Sequence, residues 1–270
     1  MNKKYNRVLS IAGSDSGGGA GIQADLKTMS ACGFYGMTAI TAITVQNTMG
    51  VSGVHPIPTD IIIGQVRAVL DDIGADAIKI GMLHSSEIIL ALKETLAHYN
   101  IPNVVLDPVM VATSGDKLLM DEAIVTLKNE LIPMARIITP NIPEAEILLN
   151  KKITSQDDLP QMARELSRNG NISVLLKAGH LATRELTDIF YNAESDEILK
   201  LSSAKMNTLN THGTGCTLSS AVASFLALGE STNQAVTKAK EYITQAIVTG
   251  AEYNIGKGHG PVHHFNQFWK

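Results

Sequence analysis

Short apolar runs alternate with longer segments of helical period along most of the chain. The apolar runs at 7–12, 37–45, 77–80, 103–106, 136–139 and 173–177 predict buried strands. The segment 22–31 and the apolar stripes at 62–73 and 88–96 predict helices between them, the second with Thr59 as its N-cap. This alternation predicts a mainly parallel sheet with helices on both faces, a three-layer α/β/α fold.

The pattern changes at residue 188. Two short strand-like segments around 193–196 predict a hairpin at one edge of the sheet, and two long helical segments follow it. The sequence contains no internal repeat, low-complexity tract or linker, so we expect one domain over residues 1–270.

Composition and charge narrow the class of protein. Of the 270 residues, 44% are hydrophobic and 18% are charged, which is enough apolar surface for a large core. The net charge of −4, without any run of four Lys or Arg, gives no bulk attraction to nucleic acid or anionic membranes. Cys32 and Cys216 are the only cysteines, and no apolar run approaches the roughly 18 residues of a membrane helix. We therefore expect a soluble, cytoplasmic protein without a nucleic-acid or membrane partner.

A glycine-rich segment at 13–21 follows the first predicted strand. Gly19, Gly21 and Ala24 match the GxGxxG/A pattern of dinucleotide sites, but these glycines come late after the strand. No acidic residue that would bind a ribose occurs between Asp25 and Asp60. A loop that covers a substrate therefore fits better than a dinucleotide site or a flexible loop without a ligand. Asp25, in the first turn of the next helix, is also explained as a complement to the helix dipole.

A second glycine-rich segment, 210–216, opens a helix that has no charged residue from 213 to 229. The N-terminus of such a buried helix has unpaired N–H groups and partial positive charge, which suit a transferring phosphoryl group. A turn that needs left-handed glycine explains the same spacing without a ligand. Cys216 follows these glycines, and its thiol pKa would be lowered by a helix N-terminus. The alternative for Cys216 is a small buried hydrophobe, the role that we assign to Cys32.

Charged residues follow three of the predicted strands. Asp107 and Glu144 come after strongly apolar runs, and Lys177 ends another. Ligands bind at the carboxyl ends of parallel strands, where two carboxylates suit Mg²⁺ and a lysine suits a phosphate. Each acid taken alone is explained more simply as a helix cap or turn residue.

The sequence has no Walker A motif. Three histidines near the end of the chain lack a standard zinc spacing and predict a docking tail instead: His259, His263 and His264.

These motifs, in this order, resemble the ribokinase-like superfamily, and most closely the hydroxymethylpyrimidine/phosphomethylpyrimidine kinases of thiamin biosynthesis. The resemblance covers nearly the whole chain through the segments 11–25, 45–48, 79–83, 107–110, 139–144, 177–180, 210–216 and 258–262. It implies a ribokinase-like fold, use of ATP and Mg²⁺, and a homodimer. The implied reactions are phosphorylation of 4-amino-5-hydroxymethyl-2-methylpyrimidine and then of its monophosphate.

The resemblance also implies a role for each matching residue. Cys216 stands where most sugar kinases of the superfamily carry an aspartate, and it would accept the hydroxymethyl proton. Asp107 and Glu144 would organise Mg²⁺ through water, and the segment 111–117 resembles the mobile flap of the family. The implied pyrimidine site consists of Gln46, Gly13, Asp25, Met82 and Val109. The implied phosphate and ATP site consists of Lys177, Thr211, Gly213, Thr214 and Gly215.

Two other functions fit parts of the same sequence. Pyridoxal or pyridoxine kinase is one, because related members phosphorylate a hydroxymethyl group on a similar ring. A sensor that binds nucleotide or pyrimidine without catalysis is the other. A sensor would not need a lysine, a thiol and two carboxylates together, which argues against it.

Overall fold

The computed structural model of the chain describes residues 4–110, 119–179 and 185–269. Within these ranges the strands are β1 (Arg7–Asp15), β2 (Tyr35–Asn47), β3 (Gly50–Pro56), β4 (Ala77–Ile80), β5 (Val104–Leu106), β6 (Ile137–Ile138), β7 (Ser173–Leu176), β8 (Glu185–Asn192) and β9 (Glu197–Ala204). The α-helices are α1 (Gly21–Ala31), α2 (Thr59–Asp72), α3 (Ser86–Tyr99), α4 (Asp121–Thr126), α5 (Ile142–Leu149), α6 (Leu159–Leu166), α7 (Thr214–Ala227) and α8 (Thr232–Gly250). The predicted alternation of strands and helices is therefore present.

The described strands form one sheet in the order β3-β2-β1-β4-β5-β6-β7-β8-β9. Six neighbouring strands of this sheet run parallel: β2, β1, β4, β5, β6 and β7. Parallel neighbours need a crossover connection, which places helices on the sheet faces. The antiparallel hairpin β8–β9 forms one edge, as the pattern around 193–196 predicts. The strand β3 pairs antiparallel with β2 and forms the other edge.

Neighbouring side chains of the parallel strands enter two separate hydrophobic cores. Leu9 of β1 packs with residues of α2 and α3 on one face of the sheet. The adjacent Val8 packs with residues of α7 and α8 on the other face. Since side chains alternate along a strand, a strand that is apolar throughout is buried on both faces. The predicted three-layer α/β/α fold is confirmed.

Three local expectations are corrected by the structure. The strand β1 continues to Asp15, so the start of the predicted loop 13–21 is still strand. The strand β3 is absent from the prediction. Thr59 as an N-cap is wrong, because Thr59 is already the first helical residue of α2 and Pro58 precedes it.

None of the helices within residues 4–110, 119–179 and 185–269 has the length and apolar character that crossing a bilayer would require. The longest, α8, is amphipathic and buries one side against α7 in the core. Its buried face includes Ala235, Val236, Ala239 and Ile243.

Candidate active site

A cavity of about 650 Å³ opens at the carboxyl ends of the parallel strands. This volume lies within the range of about 300–1,000 Å³ that is typical of small-molecule sites. All of the predicted site residues except Asp25 line it: Gly13, Gln46, Met82, Asp107, Val109, Glu144, Lys177, Thr211, Gly213, Thr214, Gly215 and Cys216. Residues that are distant in sequence thus meet because their strands end at one edge of the sheet.

The strand order spreads the lining residues along the cavity. Gln46 lies near the end of β2, and Met82 follows β4, so both belong to the half of the sheet next to the β3 edge. Asp107 follows β5 and Lys177 follows β7, in the middle of the sheet. Neighbouring strands are about 4.8 Å apart, so Gln46 on β2 is separated from Asp107 after β5 by three strand spacings.

The other end of the cavity combines apolar side chains with the Lys240–Asp188 ion pair. Leu186 of β8, Met206 after β9, and Ile243 and Ile247 of α8 line it. Ile243 and Ile247 belong to the apolar stripe of the last helix, and the stripe by itself indicates only core packing. Nothing in the local sequence distinguishes a helix face that lines a cavity from one that is covered by neighbouring elements.

The N-terminus of α7 points its first backbone donors at the cavity. Gly213 is the N-cap, with a left-handed φ of 77°, and the first intrahelical bond runs from the N–H of Thr217 to its carbonyl (2.9 Å). The N–H groups of Gly215 and Cys216 therefore come before the bonded turns of the helix. A Cβ at Gly213 would overlap the carbonyl oxygen of Gly19, so glycine is required at this position.

A buried lysine–carboxylate pair lies beside these donors. Lys177 Nζ lies 2.9 Å from Asp107 Oδ1, which also accepts a hydrogen bond from Thr139 Oγ1 at 2.9 Å. A Cβ built on Gly215 would be 3.3 Å from Lys177 Nζ and 3.4 Å from Asp107 Oδ2. Burial alone would raise the pKa of Asp107, but the charges of Lys177 and Lys79 outweigh it and lower that pKa. The site therefore combines an anion-binding helix end, a cation and an ionised carboxylate.

Glu144 is both a helix cap and a cavity residue. Its Oε2 accepts the backbone N–H of Asn141 (2.8 Å), and Asn141 Oδ1 accepts the N–H of Glu144 (2.9 Å), which forms a capping box at the start of α5. Burial raises the pKa of Glu144 to about 7, although the charge of Lys177 lowers it. The capping interpretation and the cavity interpretation therefore both hold. Within the described ranges no group of three or more metal-binding side chains is present, and Asp107 and Glu144 are two carboxylates.

The Cys216 thiol differs from the expectation. Burial raises its pKa to about 11, although the charge of Lys79 and the N–H of Gly21 both lower it. The predicted lowering of the pKa by the helix N-terminus is therefore wrong for the protein without ligands. Cys216 nevertheless lines the cavity and is half-buried. Cys32, at the end of α1, packs against the core beneath α7 and α8 as predicted, and burial raises its pKa to about 12.

Asp25 corrects the predicted pyrimidine site. Its side chain is fully buried and does not line the cavity. Its two carboxylate oxygens lie 3.0 and 2.9 Å from Lys79 Nζ. The carboxylate that was expected to contact substrate is therefore part of a buried ion pair. This pairing also replaces the helix-dipole interpretation, because the carboxylate binds a side chain of β4.

Asp15 and His212 are cavity residues that the sequence reasoning missed. The carboxylate of Asp15 accepts the backbone N–H groups of Gly17 (2.8 Å), Gly19 (3.0 Å) and Ala20 (2.8 Å), and its Oδ2 lies 2.9 Å from His212 Nε2. Burial raises the pKa of Asp15, but the bonds from His212 and these N–H groups outweigh it and lower that pKa. Because the loop donors already bind a side chain, they are not available for a dinucleotide pyrophosphate.

The same pair joins the two glycine-rich segments to the end of the cavity that lies at β2. His212 directly precedes Gly213, and its Nε2 also lies 3.4 Å from Gln46 Nε2. The signal in the sequence was a polar residue within each glycine-rich segment, but no spacing rule relates two residues so far apart.

The end of the chain completes this region. The N–H of His212 donates to the carbonyl of Gly260 (3.0 Å), and His212 forms a parallel bridge with Pro261. His264 is buried, with its Nε2 3.1 Å from Thr217 Oγ1 of α7, and burial lowers its pKa to about 3. The predicted docking tail is therefore present, and it packs directly on the segment 210–216.

Two predicted features lie outside the described residues. They are the flap at 111–117 and His180 in the segment 177–180.

Comparisons with known proteins agree with this geometry. A model of the phosphomethylpyrimidine kinase family matches residues 15–263. A hydroxymethylpyrimidine/phosphomethylpyrimidine kinase of Rhizobium meliloti is 47% identical over 264 residues, which are 97% of this chain and 98% of that protein. The enzyme of the same name from Escherichia coli K12 is 42% identical over 268 residues, which are 99% of this chain and 100% of that protein.

Solved structures are similar over the same length. An ADP complex of Bacillus subtilis pyridoxal kinase has a TM-score of 0.89 at 38% identity and covers 98% of this chain and 99% of its own. A phosphomethylpyrimidine kinase from Clostridium difficile 630 has a TM-score of 0.79 at 48% identity and covers 89% of this chain and 99% of its own.

The three-layer fold, the cavity and these relatives define this chain as a phosphotransferase of the ribokinase-like class. Within that class, the chain belongs to the phosphomethylpyrimidine kinase family. The family, the ribokinase-like fold and the enzyme class that the sequence predicts are confirmed.

Proposed function

We propose that this chain transfers the γ-phosphoryl group of ATP to the hydroxymethyl group of 4-amino-5-hydroxymethyl-2-methylpyrimidine, and then phosphorylates the monophosphate, in thiamin biosynthesis. The single observation that carries this proposal is the meeting of the α7 N-terminus, Lys177 and Cys216 in one cavity with Gln46. The relatives that bear this activity in their names cover nearly the whole chain and support the substrate assignment.

The cavity suggests an order of binding along the sheet edge. The pyrimidine would bind next to Gln46 and Met82, since an amide pairs with a ring nitrogen and an amino group. The phosphates would lie in the middle, at Lys177 and the N–H groups of Gly215 and Cys216. The base of ATP would contact the apolar end of the cavity at α8 and the hairpin β8–β9. An ATP analogue is bound in a pyridoxal kinase structure from Staphylococcus aureus that has a TM-score of 0.88 to this chain, which supports the use of ATP.

Asp107 and Glu144 would hold Mg²⁺. The oxygen donors suit the ion, since Mg²⁺ is usually bound by one or two carboxylates together with water and substrate phosphates. When bound, the ion would neutralise charge on the phosphates during transfer. Asp107 is kept ionised by two lysines, and Glu144 is half ionised near neutral pH, so both provide negative charge at this place.

Cys216 would accept the hydroxymethyl proton after it has lost its own proton to solvent. As the hydroxymethyl oxygen bonds to phosphorus, the bond from phosphorus to the leaving oxygen of ADP breaks, and the O–H proton passes to the sulfur. Because little of this proton transfer precedes bond formation in a loose transition state, the other residues act mainly by positioning and by neutralising charge.

An assay of ADP release with each acceptor tests the proposed function. We expect turnover with the hydroxymethylpyrimidine and with its monophosphate, and a kcat/KM for pyridoxal at least about tenfold lower, the discrimination that one recognition contact provides. Pyridoxal remains the alternative acceptor because similar solved structures are named as pyridoxal kinases. A higher kcat/KM for pyridoxal would reverse the assignment, and ligand binding without ADP release would instead indicate a sensor.

Replacing Gln46 with alanine is expected to raise KM for the pyrimidine about 10- to 100-fold, because it removes hydrogen bonds worth about 1–3 kcal/mol. KM for ATP should not change, because Gln46 lies at the opposite end of the cavity from the apolar residues. Gln161→Ala, an exposed truncation on α6, is the matched control and should leave both constants unchanged. An equal loss for both substrates would remove Gln46 from pyrimidine recognition.

The Mg²⁺ requirement is expected to depend on pH. With the pKa of Glu144 at about 7, the carboxyl group is protonated below this pH and ionised above it. As the pH rises towards 7, the Mg²⁺ concentration for half-maximal activity should therefore fall by up to about tenfold per pH unit, and above pH 7 it should level off. Glu144→Gln should flatten this profile while keeping the capping box, since glutamine also accepts at that position. An unchanged profile in the variant would exclude Glu144 as the titrating group.

The predicted homodimer and the predicted cytoplasmic location stay predictions. The exposed apolar side chains of Ile43, Val45 and Met49, on and beside β2, support association of two copies at this edge of the sheet.

A further inference from the structure

A buried ion pair lies in the wall of the cavity, and the proposed mechanism gives it no role beyond the effect of Lys79 on Asp107. Lys79 and Asp25 are both fully buried and form the pair described above. Asp25 also accepts hydrogen bonds from Ser10 Oγ (2.5 Å) and Ser220 Oγ (2.6 Å). Four contacts therefore hold the carboxylate in one orientation. Burying an ion pair costs desolvation free energy that apolar residues of similar volume would avoid, so stability alone does not explain it.

Two matching helix contacts locate the pair relative to the Cys216 sulfur. The backbone N–H of Gly21, at the start of α1, donates to Cys216, at the start of α7. Four residues further along each helix, Ser220 of α7 donates to Asp25 of α1. Residues four apart lie on the same helix face, about 5.4 Å apart along the axis. The ion pair therefore lies about one helical turn from the sulfur.

The pair has a fixed polarity. Both side chains are fully buried, but Lys79 is among the residues that line the cavity and Asp25 is not, so the lysine lies on the cavity side of the pair. The charged groups around Cys216 are Lys79 on β4, Asp25 on α1, Asp107 after β5 and Lys177 after β7. Burial raises the pKa of Cys216, and Lys79 opposes this more strongly than any other group. That order agrees with a cation that lies closer to the sulfur than Asp25 does.

We propose that the Lys79–Asp25 pair is a fixed dipole whose positive end stabilises negative charge on the Cys216 sulfur. The effect on turnover rests on the proposed function, in which Cys216 takes up the substrate proton. Lys79 is then a positioning residue, because it acts on the reaction through Cys216. Such preorganised charge is most effective in a site that excludes water.

The test measures the rate of Cys216 alkylation by iodoacetamide as a function of pH, without nucleotide. The Cys32→Ser background leaves Cys216 as the only thiol. The midpoint of this pH profile is the pH at which half of the Cys216 thiol is ionised. In Lys79→Met the midpoint should rise by at least one pH unit, so alkylation at a fixed pH below it should slow by about tenfold or more. Asp25→Asn should move the midpoint down and speed alkylation, because it leaves the charge of Lys79 uncompensated. Shifts in the same direction, or no shift, would overturn the proposal, because a merely structural role predicts no reversal of sign.

The double variant Lys79→Met/Asp25→Asn keeps the test decisive if either single variant fails to fold. It removes both charges and leaves a neutral buried site, and circular dichroism would check its fold. The double variant loses the nearer charge of Lys79 together with the farther charge of Asp25. The midpoint of its pH profile should therefore still rise, though less than in Lys79→Met. An unchanged or lower midpoint would contradict the proposal.

Turnover separates this proposal from the proposed function. We expect Lys79→Met/Asp25→Asn to lower kcat about tenfold and to leave KM for both substrates unchanged, in parallel with the thiolate fraction. If the midpoint moves as expected but kcat does not, the dipole stands and Cys216 is not the base. If the midpoint is unchanged in the double variant while Cys216→Ala abolishes turnover, Cys216 is the base but the Lys79–Asp25 pair does not stabilise its thiolate.

Discussion

Replacing Cys216 with alanine is expected to lower kcat at least about 10²-fold, the usual contribution of a general base, with little change in KM. The reason is geometric, because Cys216 directly follows Gly215 and lines the same cavity as Lys177 and Asp107. The substrates would still bind through the residues at either end of the cavity. Steady-state kinetics with varied pyrimidine and varied ATP would measure both effects.

The pH dependence gives a second measurement of the same role. Because the pKa of the Cys216 thiol is raised to about 11 in the free protein, only a small fraction is thiolate near neutral pH. That fraction rises about tenfold per pH unit below the pKa, so kcat should rise with pH in the alkaline range. This rise should be lost in Cys216→Ala. Cys32→Ala, outside the cavity, is the matched control and should retain both kcat and the rise. An unaltered kcat in Cys216→Ala would show that another group accepts the proton.

Gly213→Ala is expected to lower kcat by about 10²–10³-fold, comparable to loss of a donor that stabilises transition-state charge. The added Cβ overlaps the carbonyl oxygen of Gly19, a backbone atom that moves only if the segment 13–21 moves with it. The N–H donor of Gly215 and the residues at the β2 end of the cavity would then shift relative to each other.

Gly229→Ala separates this effect from ordinary backbone strain. Gly229 also has a positive φ, 91°, but a Cβ there meets no atom within 4 Å. Both variants carry the left-handed penalty of about 1–2 kcal/mol. We expect the melting temperature of Gly229→Ala to fall by about 2–8 °C with unchanged kcat. If Gly213→Ala lost no more activity than Gly229→Ala, the contact between the two segments would have no part in catalysis.

The sequence was sufficient for the parts of this fold that depend on local periodicity. Buried parallel strands such as β4 and β7 are short and apolar throughout, so their pattern is unambiguous. The strand β3 was missed because its sequence carries Gly50, Gly53 and Pro56 without apolar alternation. It is a strand because it pairs with β2, which is a tertiary reason that a local pattern does not contain.

The candidate site divides in the same way. Gly213 and Lys177 were found because glycine before a buried helix and lysine after an apolar strand are unusual placements. Asp25 was misplaced because the sequence predicts it in the first helical turn, whereas it lies further along α1 and pairs with Lys79, which is distant in the chain. The Cys216 thiol was misjudged for a similar reason. The helix N-terminus is evident from the sequence, but the burial that outweighs it results from packing against β4 and α1.

The pairing of His212 with Gly260 and Pro261 has a consequence for the order of folding. The segment 210–216 receives this backbone support from residues that follow α7 and α8 in the chain. Since domains fold progressively as they emerge during translation, the sheet and the earlier helices can assemble before the support is available. The segment 210–216 should therefore reach its final geometry only after the residues around 260 have been synthesised and have packed against it.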